Sequence, residues 1–229
     1  MKIVAVADVH CPRYVEEFIA GLEQVDKPHL FLMAGDMVNR GMYDQYPIIL
    51  EHIKEKLGDG FPIYSCFGNE EYSEVRKEIL SLVGQKIKFL DEKLEILDIA
   101  GLKVGIVGTQ GSLDKPTSWQ KRNIPSVKRV FEQRAERAAL LLRKMEGKVD
   151  RRILLMHYSP CLETCEGEST RSFAWLGSRK FFSVIKSEQP DLVIHGHVHN
   201  STNHETMIGN SRVRNVSIPA VGSLTQLDL

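Results

Sequence analysis

The sequence predicts an α/β protein whose sheet combines parallel and antiparallel strands and carries its helices outside. Two observations predict it. In the first half, short β-branched apolar runs alternate with stretches whose apolar residues recur at helical spacing. Three successive strand candidates then stop in polar residues: Asp8 and His10, then Asp36, then Asn69. In open α/β sheets ligands collect beyond the carboxyl ends of strands, so this recurrence is also the first functional signal.

The elements follow in order. Residues 2–7 are an apolar run that ends abruptly at Asp8, and residues 15–25 place Phe18, Ile19 and Leu22 on one helical face. Residues 29–34 read as a buried strand closed by Gly35-Asp36. Residues 43–57 read as a helix ending before Gly58-Asp59-Gly60, and residues 62–67 as a strand closed by Gly68-Asn69. Residues 94–99 and 103–107 flank Ala100-Gly101 and suggest a hairpin. Residues 127–145 are the longest helix candidate, with Val127, Val130, Phe131, Ala138, Leu141, Leu142 and Met145 on one stripe. Strands at 153–156 and 192–194 end at His157 and His195, and strand-like runs follow at 203–208, 213–218 and 224–229. The last run is expected to cover a sheet edge or to pair with a second copy of the chain. Residues 108–125 and 161–177, punctuated by Gly, Pro, Ser and Thr, are expected to be long loops, which in compact domains are usually functional or mobile.

Composition narrows the classes. The chain has 229 residues, 42% of them hydrophobic, and its 30 Lys and Arg balance its 30 Asp and Glu. One domain over 1–229 is expected, with a core that needs no disulfide or metal staple. Zero net charge gives no strong case for nucleic-acid binding, because coating a polyanion requires a basic surface. No apolar stretch approaches the ~20 residues that cross a bilayer, and no signal peptide is read. Cys11, Cys66, Cys161 and Cys165 are sparse and unpatterned, as expected of reduced thiols in a cytoplasmic protein. Cys161 and Cys165 lack a second ligand pair, which argues against structural zinc.

Asp8, His10, Asp36, Asn69, His157, His197 and His199 all carry oxygen or imidazole donors at strand ends. Imidazole with carboxylate suits zinc, iron, nickel or manganese. Asp8 and His10, like His197 and His199, would point to one side if their segments were extended. Seven donors exceed what one tetrahedral ion needs, so two divalent ions are the natural reading. Each piece alone is an ordinary turn or a core histidine; the cluster at 195–199 and the ordered set carry the weight.

That ordered set resembles the calcineurin-like metallophosphoesterase superfamily, whose pattern is Asp-x-His, Gly-Asp-x-x-Asp/Asn, Gly-Asn-His-Asp/Glu, a lone His, and Gly-His-x-His. Here it reads Asp8-Val9-His10, Gly35-Asp36-Met37-Val38-Asn39, Gly68-Asn69-Glu70-Glu71, His157 and Gly196-His197-Val198-His199. The resemblance implies a four-layer αββα sandwich of two mixed sheets flanked by helices, with a dinuclear metal site at one sheet edge. It implies that Asp8, His10 and His199 hold one ion, that Asn69, His157 and His197 hold the other, and that Asp36 and a hydroxide bridge them. His195 is expected to support the site without binding metal, and His29, His52 and His204 carry no motif.

Two such ions activate a shared water, clamp phosphoryl oxygens and orient in-line displacement. The expected reaction is hydrolysis of a phosphate ester, with Asp36, Asn69 and Glu70 serving the chemistry directly. Glu70 departs from the family, which usually has a phosphate-binding or leaving-group-protonating histidine there; Glu71 fits the acidic position that orients that histidine. A glutamate beside two dications stays ionised. It is a poor acid and repels a phosphate dianion more than a monoanion, by about 3 kcal/mol at ~5 Å before screening. Phosphodiesters are therefore favoured over monoesters. Arg40, Arg122 and Arg171 are candidate phosphate clamps, weighed with Arg179, and Trp119 and Trp175 are candidate stacking faces for a nucleotide-like substrate. The alternatives are a phosphomonoesterase or nuclease of the same superfamily and, outside the enzymes, a non-catalytic scaffold that shares the fold.

Overall fold

The computed structural model describes residues 1–229. The first half runs β1 (Lys2–Val6), α1 (Val15–Leu22), β2 (Leu30–Met33), α2 (Tyr46–Leu57), β3 (Ile63–Ser65), α3 (Arg76–Val83) and β4 (Ile87–Phe89). The second half begins with β5 (Lys93–Ile99), β6 (Leu102–Thr109), α4 (Ser118–Asn123), α5 (Val127–Met145) and β7 (Arg151–Met156). It ends with α6 (Arg179–Glu188), β8 (Leu192–His195), β9 (Glu205–Ile208), β10 (Ser211–Asn215), α7 (Ile218–Val221) and β11 (Thr225–Asp228).

The strands form two mixed sheets, in the orders β11-β1-β2-β3-β4 and β5-β6-β7-β8-β10-β9. Within the first, β1 to β4 are parallel and β11 runs antiparallel to β1, so the closing run covers a sheet edge. Within the second, β6, β7, β8 and β10 are parallel, with β5 and β9 antiparallel at the two edges.

Side-chain alternation sets the layers. Val4 and Val6 of β1, with Phe31 and Met33 of β2, pack against Phe18, Leu22, Ile49, Ile53, Ile79 and Val83 of α1, α2 and α3. Their neighbours Ile3, Ala5, Leu30 and Leu32 face the other sheet and meet Val104, Ile106, Ile153, Leu155 and Ile194. On the far side of that sheet, Val107, Leu154, Met156 and Val193 pack under Ala138, Leu142, Phe181 and Ile185 of α5 and α6. Three stacked cores between four layers give the αββα sandwich. Both faces of each central strand are buried, which explains why β1, β2 and β8 are continuous apolar runs.

Several boundaries differ from the sequence reading. The stretch 213–218 does not remain a strand: β10 stops at Asn215, and Ser217-Ile218-Pro219 opens α7. Between them the chain crosses to the first sheet, where Ala7 N–H donates to Val216 O (2.9 Å) and Ile218 N–H donates to Ala7 O (3.0 Å). The loop at 108–125 contains α4, started by a reciprocal cap between Thr117 and Gln120. The elements α3, β4 and α6 fall in stretches that the sequence pattern does not mark. All four cysteines are buried free thiols. No helix is long and apolar enough to cross a membrane.

One acidic side chain is poorly accommodated. Between β4 and β5, Glu92 accepts a hydrogen bond from the Thr109 hydroxyl, while its second oxygen is buried without a partner. Burial pushes its carboxyl up to about 7, with Thr109 and Arg134 opposing and Asp91 adding to the shift. A pKa above the unfolded value of 4.5 means that stability is lost as pH rises from about 4.5 through 7. Glu92→Gln should therefore be near neutral at pH 5 and raise the melting temperature at pH 8. Equal melting differences at the two pH values would refute this.

Candidate metal centre

The two sheets bring their carboxyl ends to one edge, and backbone hydrogen bonds fix them there. Asp8 N–H donates to Gly35 O (3.1 Å), His10 N–H to Asp36 O (3.0 Å) and Gly196 N–H to His157 O (3.1 Å). The donor segments are not extended, contrary to the condition set from sequence. Asp8 (φ 58°), His10 (φ 43°), Asp36 (φ 51°) and His197 (φ 69°) have left-handed backbone. Such conformations cost on the order of 1–3 kcal/mol each and cluster at functional sites. They turn the side chains inward just past the strand ends, while Val9 and Val198 between them remain buried.

Glu71 holds this edge in shape. Its buried carboxylate accepts from Asp36 N–H (2.8 Å), Gly68 N–H (2.7 Å), Met37 N–H (2.7 Å) and the Tyr46 hydroxyl (3.0 Å). With no histidine at position 70 to orient, Glu71 ties the end of β2 to the turn after β3. Two glycines are required by close approach. A Cβ at Gly68 would collide with the Asp36 carboxylate, and one at Gly196 would lie 2.5 Å from both Ala7 Cβ and Asp8 Oδ2.

The donors form two groups, Asp8 with His10 and His199, and Asp36 with His157 and His197. In the first, Asp8 Oδ1 lies 3.2 Å from His199 Nε2 and 3.7 Å from His10 Nε2, and the two imidazole nitrogens are 3.4 Å apart. In the second, His157 Nε2 lies 3.5 Å from Asp36 Oδ2 and 3.1 Å from Asn69 Oδ1. Bonds of ~2.0–2.2 Å to a common ion place adjacent donors about 3–3.5 Å apart, so the spacing fits metal. Asp8 Oδ1 is buried with no hydrogen-bond partner, as suits an atom that requires a cation. Asp36 Oδ2 also lies 3.9 Å from His10 Nε2 and so faces both groups.

Three rings are oriented from behind. His157 Nδ1 donates to Ala34 O (2.9 Å), and His197 Nε2 donates to Trp175 O (3.2 Å). His10 Nδ1 donates to Glu70 Oε2 (3.2 Å). Each bond leaves the other ring nitrogen as the one available to a metal. Burial would raise the Asp8 and Asp36 carboxyls, but the surrounding histidines outweigh it and hold both below the ordinary carboxylate range. Against its own burial, His157 is raised to about 9 by Asp36, whereas burial and the neighbouring His157 lower His197 to about 4. The cluster thus keeps its carboxylates ionised and favours a proton on His157 that a cation bound there would displace.

The other expected residues are placed differently. Glu70 is only partly exposed, and its carboxylate accepts the Arg40 N–H (2.7 Å) as well as the His10 bond. Arg40 itself is exposed beside it, at φ 45°. Arg122 folds back to donate to Ser118 O on its own helix (3.3 Å), and Arg171 is exposed. Arg179 faces Asp114, 3.7 Å away. Trp119 is exposed, and the Trp175 ring lies under Lys115 Nζ at 4.6 Å. His195 is buried, with Nδ1 donating to Gly196 O (3.0 Å). Sequence reasoning missed the part played by Trp175 through its carbonyl, which no side-chain pattern reveals. It also missed Tyr46, whose only signal was its position at the start of a helix facing the second strand end.

A family model described as calcineurin-like phosphoesterase matches residues 1–201. The chain belongs to that family. No curated protein matches its sequence. Among solved structures, the calcineurin-like phosphoesterase chain is similar to phosphopantetheinyl hydrolase from Mycobacterium tuberculosis. That match has a TM-score of 0.68 and 15% identity, and covers 99% of this chain and 95% of the other. It is similar to GAP50, the anchor in the inner membrane complex of Plasmodium, at TM-score 0.60 and 13% identity, over 97% and 72% of the two chains. It is also similar to a 5'-nucleotidase precursor from Thermus thermophilus, at TM-score 0.58 and 15% identity, over 100% and 51%. At these identities the likeness shows the fold. The family is one of metal-dependent phosphoesterases, and this member carries two candidate metal sites.

Glu71→Gln should destabilise the protein by about 2–4 kcal/mol, because an amide cannot accept from all four buried donors. Urea unfolding with an unchanged slope checks it; a loss below about 1 kcal/mol would contradict the role.

Proposed function

We propose that this calcineurin-like phosphoesterase hydrolyses phosphodiesters in preference to monoesters, using two divalent ions. Asp8, His10 and His199 would hold one, Asn69, His157 and His197 the other, and Asp36 both. The observation that carries the reading is the position of Asp36, whose Oδ2 faces His10 Nε2 and His157 Nε2 at 3.9 and 3.5 Å. When bound, two such ions supply a hydroxide at neutral pH and a clamp for phosphoryl oxygens.

The chain's own residues do the rest. Ala34 O, Trp175 O and Glu70 orient three of the histidines, and the Glu70 N–H donates to Asp36 Oδ1 (2.7 Å), which leaves Oδ2 turned to the donors. Burial opposes ionisation of Glu70, but its bonds from His10 and Arg40 prevail and hold its carboxyl below the ordinary value. A fixed negative charge beside the site disfavours a phosphate dianion relative to a singly charged diester. The difference is at most about 3 kcal/mol at ~5 Å before screening. Arg40 is the arginine best placed to meet a phosphate, since its backbone is tied to Glu70 and its side chain is exposed. The identity of the metal is open to manganese, iron, nickel or zinc.

The test is turnover of bis-p-nitrophenyl phosphate against p-nitrophenyl phosphate by chelator-stripped protein, with manganese, nickel, zinc or magnesium restored. Metal-dependent hydrolysis that is faster on the diester is expected. Asp36→Asn should lower kcat by roughly 10²–10³ and reduce metal content from two ions towards one. Faster monoester turnover would overturn the substrate preference. A wild-type metal content well below one ion per chain would overturn the enzyme reading in favour of a scaffold.

A further inference from the structure

We infer that Glu70 is a positioning residue, a carboxylate behind His10 that fixes its tautomer and selectively strengthens the Asp8–His10–His199 group. The inference rests on the metal-dependent reading above and adds a role to a residue whose family counterpart acts on the substrate.

Geometry carries it. Glu70 Oε2 lies 3.2 Å from His10 Nδ1 and 2.7 Å from the Arg40 nitrogen. Oε2 already accepts the Arg40 N–H, so His10 Nδ1 takes the donor's part against the same oxygen and the lone pair falls on Nε2. That Nε2 is the atom 3.4 Å from His199 Nε2 and 3.7 Å from Asp8 Oδ1. Of the three rings oriented from behind, His10 alone is backed by a carboxylate; His157 and His197 donate to the neutral carbonyls of Ala34 and Trp175. A carboxylate partner increases the basicity of a ligating imidazole more than a carbonyl does, and losing such a partner typically weakens metal binding 10–100-fold.

Glu70 is itself anchored. Its N–H donates to Asp36 Oδ1 (2.7 Å), and its carbonyl accepts from Gly41 N–H (2.9 Å). The left-handed Arg40 presents its N–H to the same oxygen that His10 uses. The main chain of residue 70 is thus fixed at two points, and its Oε2 is occupied by two N–H donors, which holds the carboxylate against His10.

The experiment is calorimetric titration of Co²⁺ into chelator-stripped full-length protein for wild type, Glu70→Gln, His199→Ala and the double variant. Imidazole ¹⁵N spectra of the metal-free wild type and Glu70→Ala accompany it. Glu70→Gln should weaken one binding step 10–100-fold and leave the other within about threefold. In the His199→Ala background, where the first group is already broken, it should add no further loss. The His10 ring should show a single Nδ1–H tautomer in wild type and a mixture in Glu70→Ala. Equal weakening of both steps, no weakening of either, or an unchanged tautomer would overturn the proposal. If the wild type takes up no Co²⁺, the metal-dependent function falls, and the tautomer comparison still decides whether Glu70 fixes His10.

Discussion

A site shared between two sheets requires their strand ends to be held to each other within a hydrogen bond's tolerance. Ala7 carries that constraint. Its N–H and C=O bond to Val216 and Ile218, on the segment that leaves the second sheet, while Ala34 N–H, just past β2, donates to Val6 O. Val6 and Ala7 thus tie β1 to the end of β2 and to the β10–α7 crossing, immediately before Asp8. The cross-sheet link continues through Asp8, whose Oδ2 accepts the His197 N–H at 2.8 Å. The inter-sheet core beneath supplies the driving force, and these bonds supply the register. Apolar packing alone would tolerate sliding of one sheet over the other by an ångström, which a set of donors about 3–4 Å apart would not.

The register accounts for the backbone strain that the site tolerates. Asp8, His10, Asp36, Arg40 and His197 all occupy left-handed conformations without being glycine. Each is disfavoured in isolation, and each is held by a bond that a relaxed backbone would break: Asp8 N–H to Gly35 O, His10 N–H to Asp36 O, Asp36 N–H to Glu71, Arg40 N–H to Glu70, His197 N–H to Asp8. Gly68 and Gly196 allow the approach by having no side chain where the Asp36 and Asp8 carboxylates lie. The motif glycines and the motif acids are therefore one device. The glycine leaves the space, and the acid of the neighbouring strand end fills it.

Much of this is visible in sequence for a definite reason. Asp8 and His157 follow apolar runs directly, Asp36 and Asn69 follow after a single glycine, and a polar residue at that point in a doubly covered sheet has few uses besides function. The stripe at 127–145 coincides with α5 because nineteen residues of periodic pattern leave little ambiguity. Short elements escape such a reading: α3 presents only Ile79 and Val83 as fully buried positions, and β4 has three residues. The helix α6 is legible in principle, since Ser178 caps it and Phe181, Val184 and Ile185 line one face, but it lies against a long polar loop that masks its start. The turn into α7 and the roles of Trp175, Tyr46 and Glu70 depend on partners far along the chain; the His10–Glu70 contact spans sixty residues. Spacing within a motif cannot report such pairs. It likewise cannot report that the donors sit on left-handed turns, where the alternation of an extended strand does not apply.

The glutamate at position 70 limits the chemistry more than any other departure from the family pattern. A histidine there can donate a proton or a hydrogen bond to substrate. Glu70 has its carboxylate directed at His10 and the Arg40 N–H, and those bonds favour its ionised form. Residue 70 therefore offers the reaction a negative charge and no proton. An ester whose leaving group departs readily as an anion suffers little from this, whereas a poor leaving group would have to draw its proton from water. The same charge weighs against a second charge on the phosphate. In the proposed reaction both effects would select in one direction, towards singly charged diesters with acidic leaving groups, and both would originate in the one carboxylate that faces His10. On the proposed roles, metal binding and substrate selection would be coupled through a single side chain, so exchanging it for the family's histidine would alter the two together.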